Sequence, residues 1–252
     1  MKPAVGKPAS AGDFLLERRA RLVRDRLPAR RGVLLDYGCG NGAQTAFFLH
    51  DFSQVHGVDV TRASLDDFAA SARNRLESGA LQLHVTDGRT IPLPDDSVDC
   101  IVSFEVLEHV DDEAAVLAEL RRVLAPGGRL VMTVPNRWWI FETHGADLPL
   151  LPWNRVPFFS WLPAALHDRW ARARIYSRGR IVRLLEASGF SVGESLHVTA
   201  PMDVVPWNGL RSALRSSLFR ADRSRCPFLA TSVMVVAEPL SRQPISPAPP
   251  SR

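Results

Sequence analysis

Five short apolar runs, at residues 33–35, 55–58, 81–85, 100–104 and 130–134, alternate with polar or amphipathic stretches near 44–50, 65–78 and from 105 through 124. This alternation constrains the fold more than any other feature of the chain. Runs of that length suit buried strands, and strands separated by helices pair in parallel, because each crossover returns the chain to the edge it started from. A parallel sheet is buried on both faces. Two later runs, 191–198 and 231–237, read as a closing antiparallel pair. The expected architecture is therefore α/β, a doubly wound sheet of seven strands. With 252 residues and 46% hydrophobic content, the chain can build such a core as one domain.

The amino-terminal segment 1–30 is expected to be helical: Leu15, Leu16, Leu22, Val23 and Leu27 recur among arginines, and Pro28 stops the pattern. The α/β unit is expected over 31–240. Inside it the alternation fails between 134 and 177, where Pro, Trp and Phe take over, and all six tryptophans lie between 138 and 207. We read about 137–178 as an α-helical, aromatic lid insert, about 203–228 as a second insert with a basic helical stretch at 210–225, and the Pro- and Ser-rich 241–252 as a disordered tail.

The formal charge of +4 is unevenly placed, with 17 basic and 21 acidic residues in 1–150 against 14 and 6 in 151–252. The basic part carries no nucleic-acid-binding module pattern, so DNA is not expected as a partner and RNA is disfavoured. Cys39, Cys100 and Cys226 are scattered, which excludes a disulfide framework and a zinc knuckle. With no run of ~18 apolar residues and no apolar block behind Lys2 and Lys7, a cytoplasmic protein is expected.

The motif Asp36-Tyr37-Gly38-Cys39-Gly40-Asn41-Gly42 follows the first strand. Alternate glycines let a ligand lie against the backbone where a Cβ would collide, and the amides of a following helix would face it. Gly38, Gly40 and Ala43 also satisfy the dinucleotide pattern GxGxxA, so an NAD-dependent oxidoreductase is the rival on the loop alone. Asp36 separates the two. A carboxylate two residues ahead of the first glycine repels a pyrophosphate and suits a ligand that presents an amino group.

Further motifs follow in order: Gly57-Val58-Asp59-Val60, with its acid 23 residues after Asp36; Asp87-Gly88; the run from Asp95 through Glu105; and Val123-Leu124-Ala125-Pro126-Gly127-Gly128. As a set, over about residues 32–136, they resemble the class I S-adenosylmethionine (SAM)-dependent methyltransferases. The resemblance implies a Rossmann-like sheet with SAM at the carboxyl ends of its strands. It places Gly38, Gly40 and Gly42 along the methionine moiety and Asp59 at the ribose, with Asp36, Tyr37, Cys39 and Val60 also among the cofactor-binding residues. Asp87 and Gly88 fall at the adenine, and Phe104 and Glu105 at the end of the fourth strand.

Glu105-Val106-Leu107-Glu108-His109 is expected to open the next helix, with positions i, i+3 and i+4 on one face. Two carboxylates and an imidazole there could hold Mg²⁺, Mn²⁺ or Zn²⁺ and so acidify a substrate hydroxyl. The ubiquinone-pathway O-methyltransferases, which this chain resembles, and the small-RNA 3′-end 2′-O-methyltransferases use a similar set with a further histidine, for which His144 is the match here. Without a metal, His144 or His109 is the expected general base, since an unperturbed imidazole titrates near ~6.5.

The resemblance implies methyl transfer to a small, lipophilic or aromatic acceptor, on a hydroxyl. An RNA 2′-O-methyltransferase and a SAM-binding protein without transferase activity are the other readings. In the lid, Trp153, Phe158, Phe159, Trp161, Leu162, Leu166 and Trp170 are interleaved with Arg155, Arg169, Arg172 and Arg174. Such a segment caps an apolar pocket or contacts a membrane interface peripherally.

Overall fold

The computed structural model describes residues 13–141, 146–148, 151–153, 157–163, 167 and 169–241. Helix α1 (Phe14–Arg24) is capped by Asp13, whose side chain accepts from the Leu15 amide at 2.9 Å. It leads into β1 (Val33–Tyr37), β2 (Gln54–Asp59), α2 (Arg62–Ser71), α3 (Arg73–Glu77) and β3 (Leu81–Val85). Then come β4 (Val98–Phe104), α4 (Glu113–Val123) and β5 (Leu124–Pro135). A small antiparallel hairpin follows, β6 (Ala146–Leu148) with β7 (Leu151–Trp153). The chain continues through α5 (Arg178–Ala187), β8 (Phe190–Thr199), α6 (Asn208–Ser216), β9 (Arg223–Ser224) and β10 (Ala230–Pro239).

The main sheet has the order β3-β2-β1-β4-β5-β10-β8-β9. Strands β1 to β5 pair in parallel, and β10 runs antiparallel between β5 and β8. The expected seven strands are all there. The eighth, β9, is a two-residue edge strand against His197 and Val198, too short to leave a period-two signal in the sequence.

Alternation along each strand builds a core on either face. Leu35 and Ile101 pack with Leu117 of α4 and Ile181 of α5 on one side, while Leu34, Cys100 and Val102 pack with Val23 of α1 and Phe68 of α2 on the other. The amino-terminal helix is locked down by Arg18, which is fully buried. Its guanidinium donates to the carbonyls of Thr199, Ala200 and Phe219 and to Asp222. The stretch after β5 is closed at its base where Asn136 bridges Tyr176. Among the described residues no helix is long and apolar enough to cross a membrane.

Four expected helices differ. Residues 44–50 make only a short 3₁₀ turn at Thr45–Phe47, because the Thr45 and Gln44 side chains are drawn to Asp36 and to the Leu16 carbonyl. The stretch 65–78 breaks into α2 and α3 at Ala72, whose ψ of 29° leaves the helical region. The basic stretch 210–225 is helical only within α6. Residues 105–109 do not begin a helix: Glu105 has φ +56°, Leu107–His109 is one 3₁₀ turn, and Val110 is extended before Asp112 caps α4. The tail 242–252 and residues 1–12 lie outside the described residues.

Candidate active site

Strands β1, β2 and β4 end side by side, so the turns that leave them converge on one crevice. The glycine loop is fixed from below by Val58, whose carbonyl accepts from the amides of Gly38 and Cys39 at 2.8 and 3.1 Å. Two glycines are packed shut. A Cβ on Gly38 would lie 2.3 Å from Val106, and one on Gly42 would lie 2.1 Å from Phe68, both at positive φ. Gly40 differs. It also has positive φ, +53°, but a Cβ there would meet nothing within 4 Å.

Asp36 is buried at 1% exposure on β1. Its Oδ2 accepts from the Thr45 hydroxyl at 2.5 Å, while Oδ1 has no hydrogen-bond donor among the described residues. Burial, reinforced by the charge of Asp59, pushes this carboxyl up to about 7. The Gln44 side-chain oxygen is a second buried acceptor without a donor among the described residues. Asp59, at the end of β2, spans the loop, taking the Gly40 amide on Oδ2 at 2.9 Å and the Thr61 amide on Oδ1 at 2.8 Å. Open space beside a glycine and buried acceptors lacking a hydrogen fit a ligand that carries an ammonium group.

The expected adenine end is built differently from the expected ribose end. Tyr37 reaches over from β1 and donates to the Gly88 carbonyl at 2.5 Å. Asp87 is exposed and closes a turn by accepting from the amides of Arg89 and Thr90, both at 2.9 Å, which hold its carboxyl below the usual range. Val60 is 54% exposed, an apolar surface adjoining Asp59. Cys39 is buried, and burial pushes its thiol well above the usual range. Phe104 ends β4 with its ring stacked 6.4 Å from Phe48.

The acidic cluster is held by a residue that the sequence reading passed over. Arg19 of α1 donates to the Glu105 carboxylate, which also accepts from the Thr133 hydroxyl at 3.1 Å. Glu108 is fully buried, and burial together with the charge of Glu105 lifts its carboxyl well above the usual range. His109 lies 3.9 Å from Glu108, Nε2 to Oε1. The cation beside the two carboxylates is thus a guanidinium.

Among the described residues no three His, Cys, Asp or Glu side chains are grouped as metal ligands, and His144 lies outside those residues. A divalent ion fits Glu105 poorly, since its carboxylate already serves the Arg19 guanidinium and the Thr133 hydroxyl. A cue to Arg19 was present in the spacing. Residues 15, 18 and 22, and 16, 19 and 23, fall on one stripe of α1, so the apolar pattern itself carries Arg18 and Arg19 inward.

Residues 35–132 match the family described as a methyltransferase domain. A probable SAM-dependent methyltransferase of Mycolicibacterium smegmatis is 32% identical over 76% of this chain and 65% of its own length. The ubiquinone biosynthesis O-methyltransferase of Pseudomonas paraeruginosa is 27% identical over 61% of this chain and 68% of its own. The chain spans from about half to about two thirds of the length of the curated relatives it matches. Among solved structures, a SAM-dependent methyltransferase of Mesorhizobium loti superposes with a TM-score of 0.61 at 20% identity, covering 88% of this chain and 99% of that one. The glycine loop, the acid that ends β2 and the sheet order agree with these matches, and residues 35–132 carry a methyltransferase domain.

Proposed function

We propose that this chain moves a methyl group from SAM to the hydroxyl of a small, lipophilic or aromatic acceptor. The observation that carries the reading is the open space at Gly40, whose amide is held by the loop-spanning carboxylate of Asp59, in a loop that follows the buried Asp36 and precedes Gln44, each with a buried acceptor that has no donor among the described residues. Asp36 and Gln44 would receive the ammonium group of the cofactor, Asp59 the ribose hydroxyls, and Val60 one face of the adenine. SAM supplies an electrophilic methyl on a sulfonium. The chain's task is to align an acceptor oxygen behind that methyl and take its proton.

Glu105 stands at the carboxyl end of β4, in the strained backbone that often marks functional positions. Held by Arg19 and Thr133, it would orient the acceptor hydroxyl. His109 would accept the proton, with the Glu108 carboxyl beside it. An apolar cluster that includes Trp139, Ile140, Met202 and Leu229 packs past the carboxyl ends of β5 and β8, which supports a lipophilic acceptor. The name of the ubiquinone-pathway relative supports oxygen as the methylated atom.

The test supplies radiolabelled SAM with a panel of catechols, phenols, amines and RNA, and identifies any product by mass spectrometry. Methylation on a phenolic oxygen, lost in His109→Ala with cofactor binding intact, is expected. Transfer only to RNA or only to nitrogen overturns the proposed acceptor.

A further inference from the structure

The described residues expose several large apolar side chains, and most of them cluster on two segments past the carboxyl ends of β5 and β8. Trp138, Phe158, Trp161 and Phe228 form one cluster, with ring centroids 5.0 to 5.8 Å apart, although each is at least 40% exposed. Phe158 is held there at φ +62°, a conformation that a bulky residue adopts only where its surroundings enforce it. An aromatic cluster in water gives up most of the stabilisation that burial would bring.

Helix α6 adjoins it. Trp207, Leu210 and Leu214 fall on one stripe, at i, i+3 and i+7. Leu214 packs inward with Trp139 and Leu229, whereas Leu210 is 48% and Trp207 70% exposed. The stripe therefore continues beyond the surface that the protein covers. The charge around it is positive. Residues 200–229 contain five arginines and two aspartates. Asp222 is claimed by Arg18 and Arg21, and Asp203 by Arg215, while Arg220, Arg223 and Arg225 are exposed.

We infer that this face docks on an anionic membrane surface. Tryptophan and phenylalanine settle at the headgroup boundary, a short amphipathic helix lies in that plane, and arginines meet acidic lipids. The surface lies at the end of the sheet where the glycine loop opens. On the methyl-transfer reading proposed above, on which this consequence rests, a lipophilic acceptor would then enter from the bilayer.

The experiment is flotation of the whole chain with vesicles of phosphatidylcholine, with and without phosphatidylglycerol, alongside S-adenosylhomocysteine binding by every variant. The chain should float only with phosphatidylglycerol present, and added salt should weaken binding. Trp207→Ser with Leu210→Ser, and separately Arg220→Glu with Arg223→Glu, should each lower binding on the order of tenfold while cofactor binding stays unchanged. Absence of flotation, flotation indifferent to these substitutions, or a concentration-dependent dimer that the same substitutions dissolve would each overturn the docking surface. Flotation by a chain that binds no S-adenosylhomocysteine would keep the surface and remove the methyl-transfer reading.

Discussion

The guanidinium of Arg19, on the amino-terminal helix, donates to the carboxylate of Glu105 at the end of the fourth strand, tying α1 to the middle of the site. Both side chains are largely buried, at 7% and 19% exposure. Removing one partner of such a pair leaves an uncompensated charge, a cost of about 3 kcal/mol or more. Arg19→Met should therefore destabilise the chain by about that much in urea unfolding, and Arg19→Met with Glu105→Gln should recover much of the loss.

The two kinds of glycine in the loop separate folding from binding. Gly40→Ala must hold an alanine at φ +53°, which costs about 1 kcal/mol, yet its methyl enters open space. The variant should fold and bind S-adenosylhomocysteine at least tenfold more weakly, because the methyl competes with the ligand. Gly42→Ala drives its methyl into Phe68 and should lose about 3 kcal/mol of stability. Calorimetry with a melting curve for each variant tells the two apart.

Asp36 makes the chain pH-sensitive. Its carboxyl is pushed up to about 7 when folded, against about 3.9 for an unfolded aspartate. Between those values the folded state keeps a proton that the unfolded state has lost, so this group's contribution falls as pH rises through the window. Cofactor affinity should run the other way. An ionised Asp36 holds an ammonium group better, so binding of S-adenosylhomocysteine should tighten from about pH 6 to about pH 8, and Asp36→Asn should flatten that dependence.

A guanidinium beside the acidic pair changes what metal removal is expected to do. Turnover of an identified acceptor should survive EDTA. Loss of turnover on chelation, restored by Mg²⁺, Mn²⁺ or Zn²⁺, would instead recover the reading in which Glu105, Glu108, His109 and His144 hold an ion.

The sheet was legible because strand runs such as 100–104 and 130–134 are continuous and apolar, and a doubly wound order follows from strand–helix alternation. The glycine loop and Asp59 were legible because a turn of alternate glycines and an acid ending a strand are local signals. What escaped was set by tertiary contact. The helix expected at 44–50 gave way to side-chain bonds from Thr45 and Gln44, and Glu105 turned left-handed where Arg19 and Thr133 hold it. Arg19 lies 86 residues from its partner, a distance that no window of local sequence spans.

The most direct measurement is calorimetric titration of the whole chain with S-adenosylhomocysteine and, in parallel, with NADH. One site of micromolar affinity for S-adenosylhomocysteine, weakened in Gly40→Ala and indifferent to NADH, is the predicted result. A folded chain that binds NADH, or that binds neither ligand, would contradict the assignment of this crevice to SAM.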